Sequence, residues 1–193
     1  MTIKTIHYFD APGPQNSDAV IQAAKQRIQE LGIQHVVVAS TTGATALKLW
    51  QELHDLRINL VCVGEHFGFW GGDKQKFLDS TRQELEDKGV RVFIGSHALS
   101  GVGRSITNKF KGISHTEIIA YTLRQFGQGV KVCVEIAIMA ADAGLIPTDQ
   151  EVVAIGGTSK GADAAIVLKP AHMNNYFDLE IREIIAKPRQ NDQ

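Results

Sequence analysis

Four hydroxyl side chains stand within six residues: Ser40, Thr41, Thr42 and Thr45, with Gly43 among them. They follow a short apolar run, Val36–Ala39, and lead into Ala44–Trp50, which is rich in good helix formers. Strand, hydroxyl-rich glycine turn and helix, in that order, bring hydroxyls and backbone N–H groups together at a helix N-terminus. Unpaired N–H groups and the positive end of the helix dipole converge there, which favours a phosphate. Thr41 or Thr42 alone would be read as a helix cap. Capping accounts for one hydroxyl and not for four, so the turn reads as an anion site.

Three further stretches carry chemistry. Glu65–Gly72 packs His66, Phe67, Phe69 and Trp70 between glycines. It reads as a stacking platform for a planar ring or as a lid tucked into the core. His66 within it is a ring contact or a satisfied structural histidine. Ser96–Ser105 offers Ser100, other hydroxyls, two glycines and Arg104, a second anion contact or a plain turn with a solvated arginine. Its glycines do not complete a dinucleotide fingerprint, because Ile106 stands at the third position. Gly156, Gly157, Thr158, Ser159 and Lys160 make another anion-friendly turn. Ala162 and Asp163 follow where an ATP-binding loop needs Lys and then Ser or Thr. No nucleophile elbow and no metal-ligand spacing appears.

These loops must be positioned by regular elements. Thr5–Phe9 reads as an edge strand, ended by Asp10–Pro14. Asn16 or Ser17 then caps a helix whose apolar face is Ile21, Ala24, Ile28 and Leu31, stopped at Gly32. Buried strands are expected at Val36–Ala39, Ile58–Gly64 and Val90–Gly95, since short continuous apolar runs suit a sheet covered on both faces. Helices are expected at Asp73–Lys88, Thr116–Phe126 and Val130–Ala143. On the last, Glu135 lies on one stripe with Lys131, on a solvated face or paired with that lysine, with catalytic use as the lesser alternative. Val152–Ile155 and Ala164–Leu168 are joined too closely for a parallel crossover, so if they pair they are antiparallel. Ile181–Ala186 adds a short strand.

The chain has 193 residues, 44% hydrophobic and 21% charged, enough apolar matter for one domain over residues 1–193. Its net charge of −1 makes nucleic acid and anionic membrane poor partners. No apolar run reaches transmembrane length, and Met1–Lys4 begins no signal peptide. Cys62 and Cys133 lie in apolar runs and read as small buried hydrophobes in a reducing compartment, so a cytoplasmic location is expected. The oligomeric state stays open, a homo-oligomer included.

Val36–Ala46, VVVASTTGATA, resembles the strand-loop-helix of the pyruvate kinase C-terminal domain, where such a loop holds an effector's phosphate. YFDAPGPQN, SHALSGVGRSI, KVCVEIAIMAADAG, GGTSKGADAA and PAHMNNYFD extend the resemblance to a prokaryotic group of stand-alone proteins built like that domain. The resemblance implies an α/β fold, a three-layer α/β/α sandwich on a mixed five-stranded sheet of order 3-2-1-4-5, its last strand antiparallel. In such a sheet, ligands bind where the strand order reverses. That crevice is flanked by Ser40–Thr45 and Gly156–Lys160, with the other two loops on the same edge. Pyruvate kinase activity is not implied, because its phosphoryl transfer belongs to a barrel domain with no counterpart here.

The stand-alone group is associated with flavin mononucleotide (FMN), which implies FMN as cofactor, its phosphate at Ser40–Thr45 and its ring on Phe69 or Trp70. Two functions compete on this reading. One is an FMN-binding protein, extending to a flavin-dependent oxidoreductase. The other is a non-catalytic module that senses a phosphorylated metabolite. The aromatic loop favours the first; the lack of an identifiable proton donor favours the second.

Overall fold

The structure, a computed structural model, describes residues 3–190. Met1, Thr2 and residues 191–193 of the expected single domain lie outside the described residues, as does part of the Met1–Lys4 segment judged not to be a signal peptide.

Strand β2 (His35–Ala39) lies between β3 (Asn59–Glu65) and β5 (Val152–Gly156), parallel to both. Val37 is level with Val61 on one side and Ala154 on the other. β4 (Arg91–Gly95) closes that edge parallel to β3. On the other side β6 (Ala164–Lys169) pairs antiparallel with β5, as the short connection requires. Two more strands extend the sheet: β7 (Glu180–Pro188), antiparallel to β6, and β1 (His7–Phe9), parallel to β7. The sheet therefore has seven strands and runs β1-β7-β6-β5-β2-β3-β4, which corrects the expected five strands in the order 3-2-1-4-5. The run β4-β3-β2-β5-β6 sits inside it. The polar β7 gave no local sign that β6 needs a partner on its open edge.

Strand alternation sorts the core into two halves. Val36, Val38, Leu60, Cys62, Val153 and Ile155 face one side, packed under α1 (Ser17–Leu31), α2 (Ala44–Leu53) and α3 (Asp79–Asp87). Val37, Val61, Val63, Val152 and Ala154 face the other, under α5 (His115–Arg124) and α6 (Gln128–Asp142). Between β4 and α5 lies α4 (Gly101–Phe110), which buries none of its side chains. Both cysteines are free and buried, and burial pushes the Cys62 thiol up to about 12. Among the described residues no helix is long and apolar enough to cross a membrane.

Three local expectations change. Neither Asn16 nor Ser17 caps α1: the Asn16 amide donates to Ala11 O, and Ser17 Oγ accepts from Ala162 N. The charged helix begins at Asp79 and not at Asp73, because the Gln75 side chain accepts the N–H groups of Lys76 and Phe77, and Phe77 turns into the core. Ser96–Ser105 is not one loop, since α4 starts at Gly101.

Candidate functional site

β2, β3, β4 and β5 run parallel, so the loops after them open on one rim. The Ser40–Thr45 turn follows β2. Gly43 is the residue preceding α2, at φ 88°, and no side chain caps the helix. The capping alternative for Thr41 or Thr42 is thereby set aside, and the first N–H groups of α2 keep no side-chain acceptor. Ser40 is buried and its N–H donates to Val63 O, which continues the sheet by one residue. Gly43 does not face the crevice with its missing side chain. A Cβ there would meet Thr81 Cγ2 at 2.5 Å, with Phe77 and Leu85 close behind.

The loop after β3 stands next to this turn and is joined to it through Glu65. That carboxylate accepts Thr41 Oγ1 at 3.4 Å and Trp70 Nε1 at 2.7 Å, while Gln75 Nε2 donates to Glu65 O. Trp70 is further covered by the Lys76 ammonium, 3.2 Å from the ring centroid. The loop is not a lid tucked into the core: Phe67 and Trp70 are exposed. Phe69 instead turns toward the loop after β4. Its ring lies 5.0 Å from His97 and 5.7 Å from His66, and the two histidines are 5.2 Å apart. His66 Nδ1–H donates to Phe67 O, which anchors the imidazole as the structural reading expects, and its ring lies against Phe69.

Between this aromatic cluster and α4 opens a cleft of about 490 Å³. His66, Phe69, Ser100 and Arg104 all line it, four of the residues expected from sequence at a site. The Arg104 guanidinium stands 5.9 Å from the Phe69 ring. Asn108 and Lys109, further along α4, complete the wall and were not foreseen. A signal was present: no Asp or Glu occurs between Asp87 and Glu117, so this whole segment carries only positive charge.

The loop after β4, which supplies Ser100 to the cleft, is tied to α6. Lys131 and Glu135, each 4% exposed, form an ion pair inside that helix, and Glu135 Oε1 also accepts Leu99 N at 2.8 Å. The paired reading of Glu135 therefore stands, and the solvated one does not. Glu135 anchors the loop that carries His97 to the rim. Burial pushes the Lys131 ammonium below its ordinary value; Glu135 opposes this, and Arg124 and Arg104 add to it. Burial likewise lowers His97, opposed by Glu135 and reinforced by Lys131, His66 and Arg104.

The Gly156–Lys160 turn is placed apart from this cleft. Asp163 Oδ2 accepts the N–H groups of Thr158 and Gly13, so the hairpin's own carboxylate holds part of its donor set. Gly161, at φ 69°, lies against Pro14 and Ser17, which packs the hairpin on the segment before α1. Lys160 and Ser159 remain exposed.

A mixed, open α/β sheet with its glycine-bearing turns gathered on the carboxyl rim is an architecture of ligand-binding α/β domains. Residues 18–168 match the model of the pyruvate kinase alpha/beta domain family, most of the chain's length, and the chain belongs to that family. Among solved structures it is similar to a chain described as a caffeoyl-CoA O-methyltransferase from Staphylococcus aureus, at 14% identity and a TM-score of 0.33. That match covers 70% of this chain and 56% of the other.

Proposed function

We propose that the chain binds a small phosphorylated ligand carrying a flat aromatic ring, with flavin mononucleotide as the ligand, at the carboxyl rim of its sheet. The observation that supports this is the cleft in which the aromatic face of Phe69 and His66 opposes Arg104 and Lys109. The hydroxyl turn at the uncapped N-terminus of α2 opens on the same rim and is tied to the loop after β3 through Thr41 and Glu65, though none of its residues lines the cleft. Its volume falls within the range of small-molecule sites. In this reading the N–H groups opening α2 and the hydroxyls of Ser40, Thr42 and Thr45 hold the phosphate, while Phe69 supports the ring. A bound flavin would supply hydride and electron transfer. The chain's part is to bind and orient it.

Phe69 and Trp70 separate this reading from a sensor of phosphorylated metabolites, which needs no ring platform. Phe69 lines the cleft, whereas the Trp70 ring is bonded to Glu65 and covered by Lys76. Phe69→Ala should weaken FMN by about 1 kcal/mol or more, read from flavin fluorescence quenching. Trp70→Ala should cost less, and competition by inorganic phosphate should be unchanged in both. Absence of FMN binding to the unmodified protein, or equal losses for FMN and phosphate, would leave the sensor reading in its place.

A further inference from the structure

We propose that the α4 wall of the cleft is a second anion subsite, where Arg104 and Lys109 take a phosphate or carboxylate group of a co-ligand that shares the cleft with the ring. It counts as the second because it rests on the reading that the flavin phosphate occupies the Ser40–Thr45 turn.

The case is one of two cations that meet aromatic rings, Phe69 for Arg104 and Phe110 for Lys109, and no carboxylate in ion-pair contact. Arg104 and Lys109 stand about 1.4 turns apart on α4 and both line the cleft. Among the described residues neither stands within ion-pair distance of a carboxylate. The carboxylates nearby are committed elsewhere. Glu117 accepts Ser114 N and the Thr107 hydroxyl, closing the capping box of α5. These bonds hold its carboxyl below the ordinary range, with a smaller contribution from the Arg104 charge, which it meets through space and not in an ion pair. Glu135 is held by Lys131 and by Leu99 N, beneath the loop that carries His97. Behind the cleft wall His97 and the buried Lys131 add further cationic or potentially cationic groups, and both are held below their ordinary values, by burial first and by neighbouring cations including Arg104. An oxyanion on Arg104 and Lys109 relieves this crowding with charge-assisted hydrogen bonds. Ser105 and Asn108 on the same wall supply neutral donors.

The test uses inorganic phosphate as probe on the full chain saturated with FMN, with phosphate binding followed by calorimetry. Arg104→Ala and Lys109→Ala alter a helix that buries no side chain, so folding is retained and is checked by circular dichroism. Each should weaken phosphate about tenfold or more, whereas Arg82→Ala on α3, outside the cleft and the Ser40–Thr45 turn, should leave it unchanged. Phosphate should also raise the titration midpoint of the His97 imidazole resonance, since the charged groups facing it are Glu135, Lys131, His66 and Arg104, three of them cationic when protonated. Undiminished phosphate affinity in both α4 variants, or no phosphate binding to the FMN-saturated chain, overturns the subsite. If FMN does not bind at all but phosphate still depends on Arg104 and Lys109, the flavin reading falls and the anion subsite stands.

Discussion

Gly43 illustrates how one residue type serves a site indirectly. At φ 88° it occupies a conformation that costs any β-branched residue, and its open side is filled by Thr81, Phe77 and Leu85. Strain and overpacking then act together. Gly43→Val should destabilise the fold by about 3 kcal/mol or more, read from the urea midpoint, with loss of ligand binding only as a consequence. The neighbouring Thr42 is exposed, so Thr42→Val should leave the midpoint nearly unchanged. Equal midpoints for the two variants would mean that α3 does not pack on the turn. The same logic explains Glu135: buried on an apolar helix, it is retained through its bonds to Lys131 and to Leu99 N.

Among the elements, β7 depends on a contact far away in sequence. Arg27 on α1 donates from Nε to Glu183 Oε2 at 2.6 Å and from a second guanidinium nitrogen to Oε1, a bidentate pair that ties the helix to the strand. The Arg27 guanidinium holds the Glu183 carboxyl below its ordinary range. A carboxyl lowered by folding stabilises above its unfolded value, near 4.3, and that contribution is lost as pH falls through the folded value. Glu183→Gln should therefore cost about 1 kcal/mol at neutral pH and flatten the acid limb of the stability curve. A variant whose pH profile follows the unmodified protein down to pH 3 would show that the pair contributes nothing.

At the scale of the molecule, stability is unevenly spread. α6 buries twelve of its fifteen residues, whereas α4 buries none and leaves Val102, Ile106 and Phe110 exposed in one line. Local opening free energy follows buried apolar contact. Native-state hydrogen exchange should find α6 and β5 opening only with global unfolding, and α4 opening at a free energy lower by about 3 kcal/mol or more. Equal protection would mean that α4 is covered in solution. The cleft thus has one wall on the least buried helix, while the loop that supplies Ser100 is tied to the most buried one.

What the sequence alone determined here was local. Continuous apolar runs marked β2, β3, β5 and β6, because a strand buried on both faces has no polar side to alternate with. The short link fixed β5 and β6 as antiparallel through chain geometry, and the hydroxyl turn was legible because four such side chains exceed what a cap requires. Its neighbours were not. That β7 and β1 complete the sheet, that Gly43 faces α3, that Asp163 fills the hairpin's donors, and that His97 and Lys109 join His66 and Arg104 all depend on contacts between residues distant along the chain. Such contacts arise only when the two halves of the core pack on opposite faces of the sheet and bring separate loops to one rim.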